Sequence, residues 1–299
     1  MNPPPLYLCG GLQSSGSTLI SWCFLQRPDM DGVLDARFDT LPQMPADLAR
    51  PLAWCKFTIA CFRFSEVMEY LRDEGWDVRP LLVVRDVRSV FNSLITKSYG
   101  RNGVTADDPP VRLRLHRFLE DWTEFRRRGW PLLRFEDLAA EPVSTVRRAC
   151  EQLGLPYENS MASWPKTREQ ITDARYGNES FLKTRRATLR ETVVESLMRV
   201  KTSFIPPEDL AWMELKFAEM NRVMGYPEHV PAEAPACPAR AVPLFENTRR
   251  CERLRRKNRL SRSARKLADA VRRLLPLGAE AVKAWGTRPA RGIRAEQAR

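Results

Sequence analysis

Read from its amino end, the chain alternates short apolar runs with longer segments of helical period. Pro5 to Cys9 is an apolar run that meets a Gly/Ser cluster at Gly10 to Ser17, and Thr18 to Leu25 follows without a helix breaker. This predicts a strand, a loop and a helix. Further strands are predicted at Gly32 to Ala36, Leu52 to Ile59, Val78 to Val84 and Pro131 to Phe135. Phe64 to Gly75 places Val67, Met68 and Leu71 on one helical face, and Arg88 to Ser98 and Val143 to Leu153 also read as helices, the last stopping at Gly154. Val111 to Arg128 carries Leu113, Leu115, Phe118, Leu119, Trp122 and Phe125 at helical spacing, with a basic opposite face. His116 lies within this helix and is expected to be structural. Asp209 to Met224 reads as a closing helix. Strands and helices alternate with connections long enough for parallel crossovers, so the predicted class is α/β, a parallel β-sheet flanked by helices.

The pattern changes after residue 226. Pro227 to Pro243 is proline-rich and reads as a linker, Asn247 to Leu275 can form a helix very rich in Arg, and Gly278 to Arg299 is expected to be weakly ordered. The expected organisation is therefore an α/β domain over 1–226, a linker over 227–243 and a basic, partly helical tail over 244–299. Charge follows this division. The net charge is +12, yet Arg240 to Arg299 holds 18 basic and 5 acidic residues, so the remainder is close to neutral.

Apolar residues are 43% of the 299 and charged residues 29%, which suits a folded core and excludes a wholly disordered chain. No apolar run reaches the roughly 20 residues of a membrane span, and Met1 to Pro5 lacks the basic segment of a secretory signal, so a cytoplasmic location is expected. The seven cysteines are scattered, with no C-x-x-C pair, and are expected as reduced core thiols. His116 and His229 are the only histidines, so no metal is expected and any cofactor should be organic.

The candidate chemistry starts at Gly11-Leu12-Gln13-Ser14-Ser15-Gly16-Ser17-Thr18. A loop between strand and helix is where backbone N–H groups and a helix N-terminus bind phosphate. Against the nucleotide-loop pattern G-x-x-x-x-G-K-[ST] only the lysine position fails, where Ser17 stands. ATP and GTP enzymes use that lysine on the β and γ phosphates, so this loop suits a smaller anion. A plain Ser/Gly turn is the alternative. Farther on, Arg85 ends the strand Val78 to Val84 and Ser93 lies about two turns into the next helix. A guanidinium and a hydroxyl at a strand's carboxyl end fit a second phosphate. With the loop, the expected fold narrows to one like the P-loop nucleoside-triphosphate hydrolases, with a basic helical C-terminal extension.

These motifs together resemble the sulfotransferases that use 3′-phosphoadenosine-5′-phosphosulfate (PAPS). Ser15, Gly16, Ser17 and Thr18 are similar to the core of that family's 5′-phosphosulfate loop, and Arg85 with Ser93 resembles its 3′-phosphate motif. Leu133-Arg134-Phe135-Glu136-Asp137-Leu138 resembles its R-[YF]-E-D-L stretch, and Cys150 to Tyr157 contains an L-G-L that is also similar. The resemblance spans roughly residues 5 to 226. It implies PAPS as cofactor, an acceptor hydroxyl as substrate, and a cofactor site of Ser14, Ser15, Gly16, Ser17, Thr18, Arg85 and Ser93. It also places Arg175, Tyr176 and Gly177 at the family's late R-K-G stretch over the 3′-phosphate, with an exposed loop charge as the other reading of Arg175.

Two departures matter. Many relatives begin the loop with Lys or Arg, where this chain has Ser14, so a cation must come from elsewhere. Lys56 resembles the lysine of the family's K-T-H strand and is the candidate; the alternative is a lysine on an edge strand. Thr58 stands where many relatives carry a catalytic histidine. Leu34-Asp35-Ala36-Arg37-Phe38, after Pro28-Asp29, resembles the glycosaminoglycan branch, in which a Glu after the second strand is the base. Asp35 matches that Glu, and Asp39 is the reserve; a solvated loop acid is the alternative. Glu136 and Asp137 are expected to cap the next helix or brace the cofactor loop.

The acceptor class implied is a glycan, glycolipid or other metabolite. Two other readings stay open: a nucleotide or small-molecule kinase with a degenerate loop, and a non-catalytic anion-binding module. The Arg-rich tail, with Leu254, Leu260, Leu267, Val271, Leu274 and Leu275 as an interrupted apolar stripe, suits peripheral contact with an anionic membrane. Nucleic acid is not an expected partner, because no recognition motif accompanies the charge.

Overall fold

β1 (Pro5–Gly11), β2 (Met30–Val33), β3 (Leu52–Thr58), β4 (Asp77–Val84) and β5 (Leu132–Arg134) form one parallel sheet in the order β2-β3-β1-β4-β5. The computed structural model describes residues 4–36, 38, 40–45, 48–95, 111–171, 188–198, 205–227 and 249–274. β1 is central because it is apolar on both faces. Leu6 and Leu8 join a core with Val67 and Leu71 of α2 (Phe64–Asp73) and Leu115, Phe118 and Trp122 of α4 (Val111–Arg128). Tyr7 and Cys9 face the other way, into a core with Ile20 and Phe24 of α1 (Ser17–Leu25) and Val146 and Cys150 of α6 (Pro142–Gln152). Helices on both faces bury a parallel strand completely, which is why β1 reads as a continuous apolar run and not as an alternation.

α3 (Val87–Ser93) follows β4, and α5 (Phe135–Ala140) follows β5 without a linker. The remaining described helices are α7 (Ser160–Ser163), α8 (Arg168–Ile171), α9 (Leu189–Met198), α10 (Pro207–Lys216), α11 (Ala218–Met224) and α12 (Arg249–Leu274). The chain divides into two compact units, Met1–Arg255 and Arg256–Arg299. Within the second, residues 256–274 are described, as part of α12.

The α/β class and the parallel sheet are as the sequence predicts. Several local expectations need correction. The single helix expected over Asp209 to Met224 is two, because Phe217 leaves helical geometry (φ −105°, ψ 11°) and is fully buried between Met213 and Met220 of the same core. His116, expected to be structural, lies on the solvent face of α4 with Glu120 one turn on at 3.8 Å. Cys9, Cys23, Cys55 and Cys150 are free and buried, and burial pushes the thiols of Cys9 and Cys23 up to about 12. Cys61, however, is disulfide-bonded, against the expectation of uniformly reduced thiols; pairing depends on spatial approach, which spacing along the chain does not reveal. The linker at 228–243 and the tail beyond 274 lie outside the described residues. Among the described residues no helix is long and apolar enough to cross a membrane, and no group of three His, Cys, Asp or Glu residues is arranged to hold a metal.

Burial on α4 is not confined to its apolar residues: Arg114, Arg117 and Asp121 are buried as well. Asp121 accepts from the Phe64 N–H at 2.7 Å and so satisfies the start of α2, where the Arg63 N–H also donates to Glu66 at 2.9 Å. Burial pushes the Asp121 carboxyl up to about 7, against the lowering pull of the Phe64 N–H and Arg63. An unfolded Asp titrates near 3.9, so from about pH 4 to 7 the folded chain binds the extra proton and stability falls as pH rises. Asp121→Asn keeps an acceptor and removes that titration. Wild-type stability minus variant stability, from urea unfolding, should therefore decline by a few kcal/mol between about pH 4 and 7 and stay level above it. A difference independent of pH would remove Asp121 as the cause.

Candidate active site

The central strand sets the site. β1 lies between β3 and β4, with Gly11 in register with Thr58 on one side and Val83 on the other, so the loop leaving β1 is flanked by both neighbouring strand ends. The Ser15 N–H donates to the Leu12 carbonyl at 3.1 Å and closes the turn. The turn requires two left-handed residues, Ser14 (φ 66°) and Gly16 (φ 88°). Gly16 is needed for space as well: a Cβ there would come within 2.3 Å of the Phe135 ring. A Cβ on Gly11 would come within 2.5 Å of Ser15 Oγ. Ser14 has no such licence, and a left-handed serine is strained unless its surroundings hold it.

Arg85 and Ser93 hold it. The Arg85 Nη1 donates to the Ser14 carbonyl at 2.7 Å, and the Ser93 hydroxyl donates to Ser14 Oγ at 2.9 Å. Two motifs separated by about 70 residues thus meet on one residue of the loop. The Arg85 guanidinium lies 4.4 Å from the centroid of the Phe135 ring, which also packs against Gly16. Burial pushes Arg85 down, with Glu136 and Asp86 acting in the opposite sense, and a guanidinium stays charged regardless. Behind it, Asp86 caps α3 by accepting from the Arg88 N–H at 2.9 Å. The Arg88 side chain is held structurally by Asp86, Glu214 and the Pro227 carbonyl. Glu136 accepts from the Asp86 N–H at 3.1 Å and from the Tyr226 hydroxyl at 2.8 Å, and so braces the turn that presents Arg85.

On the other side of β1, Lys56 donates to Asp35 Oδ1 at 2.6 Å and to Thr58 Oγ1 at 3.0 Å. β3 is an interior strand and Lys56 is 3% exposed, so it is not a lysine on an edge. Asp35 follows β2 and is 18% exposed, reachable from solvent on a side chain whose charge Lys56 compensates. Thr58 is the residue opposite Gly11, which links the Asp35–Lys56 pair to the start of the loop.

Asp35, Lys56, Ser14 to Thr18 and Arg85 therefore lie at the carboxyl ends of four adjacent strands, β2, β3, β1 and β4, with Ser93 at the end of α3 beside them. Arg37, Asp39, Arg175, Tyr176 and Gly177 lie outside the described residues. Sequence reasoning missed Arg114, which is 4% exposed and donates to Gln13 Oε1 of the loop at 3.0 Å, with its guanidinium 5.6 Å from the Phe38 ring centroid. A signal was present: Arg114 falls three residues after Val111 and four before Phe118, on the buried stripe itself.

The residues fit a phosphate-bearing ligand. Ser15 is 1% exposed, and its hydroxyl finds no hydrogen-bond partner among the described residues. No side chain caps the N-terminus of α1, whose first-turn N–H groups have no intrahelical acceptor. A buried hydroxyl, a helix start and a guanidinium at one loop make a cradle for oxyanions.

No family model matches the chain, and no curated protein matches it in sequence. Solved structures do match. The sulfotransferase domain of the Synechococcus PCC 7002 olefin synthase superposes with a TM-score of 0.53 at 14% identity, covering 76% of this chain and 97% of that one. The sulfotransferase domain from the curacin biosynthetic pathway superposes with a TM-score of 0.51 at 14% identity, covering 76% and 99%. The chain has the fold of sulfotransferase domains.

Proposed function

We propose that this protein is a sulfotransferase that uses PAPS and acts on an acceptor hydroxyl, of a glycan, glycolipid or other metabolite. The observation that carries the reading is the meeting of Arg85 and Ser93 on Ser14, which joins two anion-binding elements at one loop. Ser14, Ser15, Gly16, Ser17 and Thr18 hold the 5′ side of the cofactor, and the buried Ser15 hydroxyl gains there the partner it lacks. Arg85 and Ser93 hold the 3′-phosphate, and Arg175, Tyr176 and Gly177 close over it. Bound PAPS supplies a sulfuryl group attached to a phosphate leaving group.

Asp35 is the general base. Its Oδ1 is engaged by Lys56, which leaves Oδ2 to receive the acceptor's hydroxyl proton. Lys56 orients that carboxylate and brings positive charge next to the reacting oxygens, the role that a loop lysine would otherwise share. With Ser14 in the loop's cationic position, Lys56 is the cation that takes its place, and Arg85, bonded to the Ser14 carbonyl, fixes the loop's shape.

Isothermal titration with adenosine 3′,5′-bisphosphate and with ATP tests the assignment. Bisphosphate should bind in the presence of chelator as well as with Mg²⁺, and more tightly than ATP. Binding of Mg-ATP without binding of the bisphosphate would move the chain to the kinases, and silence to both would leave an anion-binding module.

A further inference from the structure

The long helix α12 carries a feature that sulfuryl transfer does not use. Leu260, Ala264, Leu267 and Val271 recur at intervals of four, three and four, which at 100° per residue places them within one narrow arc. All four are exposed; Leu260, Leu267 and Val271 are 62%, 67% and 44% accessible. Ser263, Ala268 and Ala270 beside them are small. By helical position Arg255, Arg259, Arg262, Lys266 and Arg273 occupy the opposite arc. Across Arg249–Leu274 there are twelve Lys and Arg against two acids, Glu252 and Asp269.

We propose that this face of α12 lies on an anionic lipid surface, with Leu260, Leu267 and Val271 entering the headgroup boundary. A helix with a strongly basic face and an opposed apolar stripe, too polar to span, is the type that lies in a bilayer's interface. Charge selects the occupant. A second copy of the chain would set one strongly positive helix beside another, whereas each Lys or Arg near an anionic leaflet adds to the attraction. The apolar stripe selects against a purely electrostatic partner, because nucleic-acid backbones take cations and leave three exposed aliphatic side chains in water.

The test is co-sedimentation of the full chain with vesicles of phosphatidylcholine alone or of phosphatidylcholine with one quarter phosphatidylglycerol, at low and high salt. Wild type should pellet with the mixed vesicles, not with the neutral ones, and binding should weaken in high salt. Leu260→Ser/Leu267→Ser/Val271→Ser should lose roughly tenfold or more of that binding while its helical circular dichroism stays unchanged. Equal binding by the triple variant would overturn the proposal, as would failure of wild type to bind either vesicle. Light scattering that shows a dimer broken by the triple variant, with no vesicle binding, would assign the stripe to a second copy. Duplex DNA bound equally by both proteins, again without vesicle binding, would assign the charge to nucleic acid.

Discussion

Arg85→Ala should weaken binding of adenosine 3′,5′-bisphosphate by roughly 1.5 to 3 kcal/mol, or about 10- to 150-fold in Kd, the usual worth of a charge-assisted contact. Two losses combine in this variant. The guanidinium that would meet the 3′-phosphate is gone, and so is the donor to the carbonyl of Ser14, whose left-handed backbone then lacks its main anchor. Arg85→Lys retains the charge without the planar fork, and should fall between wild type and the alanine variant. Ser93→Ala removes a neutral hydrogen bond to Ser14 Oγ and should cost less, about 0.5 to 1.5 kcal/mol. Unchanged affinity in Arg85→Ala, measured by titration calorimetry, would dissolve the link between the two motifs and with it the choice of a doubly phosphorylated ligand.

Asp35→Asn should leave bisphosphate affinity within about twofold of wild type and lower turnover by a factor on the order of 10² to 10⁴, the usual contribution of a positioned general base. Transfer of label from PAPS into an acceptor-containing extract reads the turnover. Lys56→Met provides the complementary result. It leaves Asp35 without its counter-ion next to a buried site, and removal of one member of such a pair costs on the order of 3 to 5 kcal/mol of stability. The double variant Asp35→Asn/Lys56→Met should recover part of that stability, because neither charge is then stranded. An Asp35→Asn enzyme that still turned over at the wild-type rate would pass the base to another group, with Asp39 next in line.

The alternatives that the sequence left open and the residues that it missed share a cause. Lys56 could be read as an edge residue because a strand's neighbours are set by sheet order, and the order β2-β3-β1-β4-β5 places β3 inside the sheet although it is third along the chain. Arg114 and Asp121 were missed because a period drawn from apolar residues alone leaves charged positions out of the stripe. Their positions on the helix lie on the buried stripe, where each has a polar group to meet: Gln13 for Arg114, and the start of α2 for Asp121. Glu136 could have been a helix cap or a brace from the sequence alone. Its contacts with the Asp86 N–H and the Tyr226 hydroxyl, 50 and 90 residues away, make it a brace.

From residue order alone come the alternation of strand and helix, the loop between β1 and α1, and the placing of Arg85 and Ser93 one after the other beyond a buried strand. These are local properties, decided by periodicity, by glycine where the backbone turns left-handed, and by apolar runs that no surface strand would carry. The pairing of Asp35 with Lys56, the meeting of Arg85 and Ser93 on Ser14, and the burial of Arg114 against the loop belong to tertiary structure. Each joins residues from different strands or helices, and which strand ends become neighbours is decided by how the two faces of one sheet are covered, a global balance of burial that no short stretch of sequence contains.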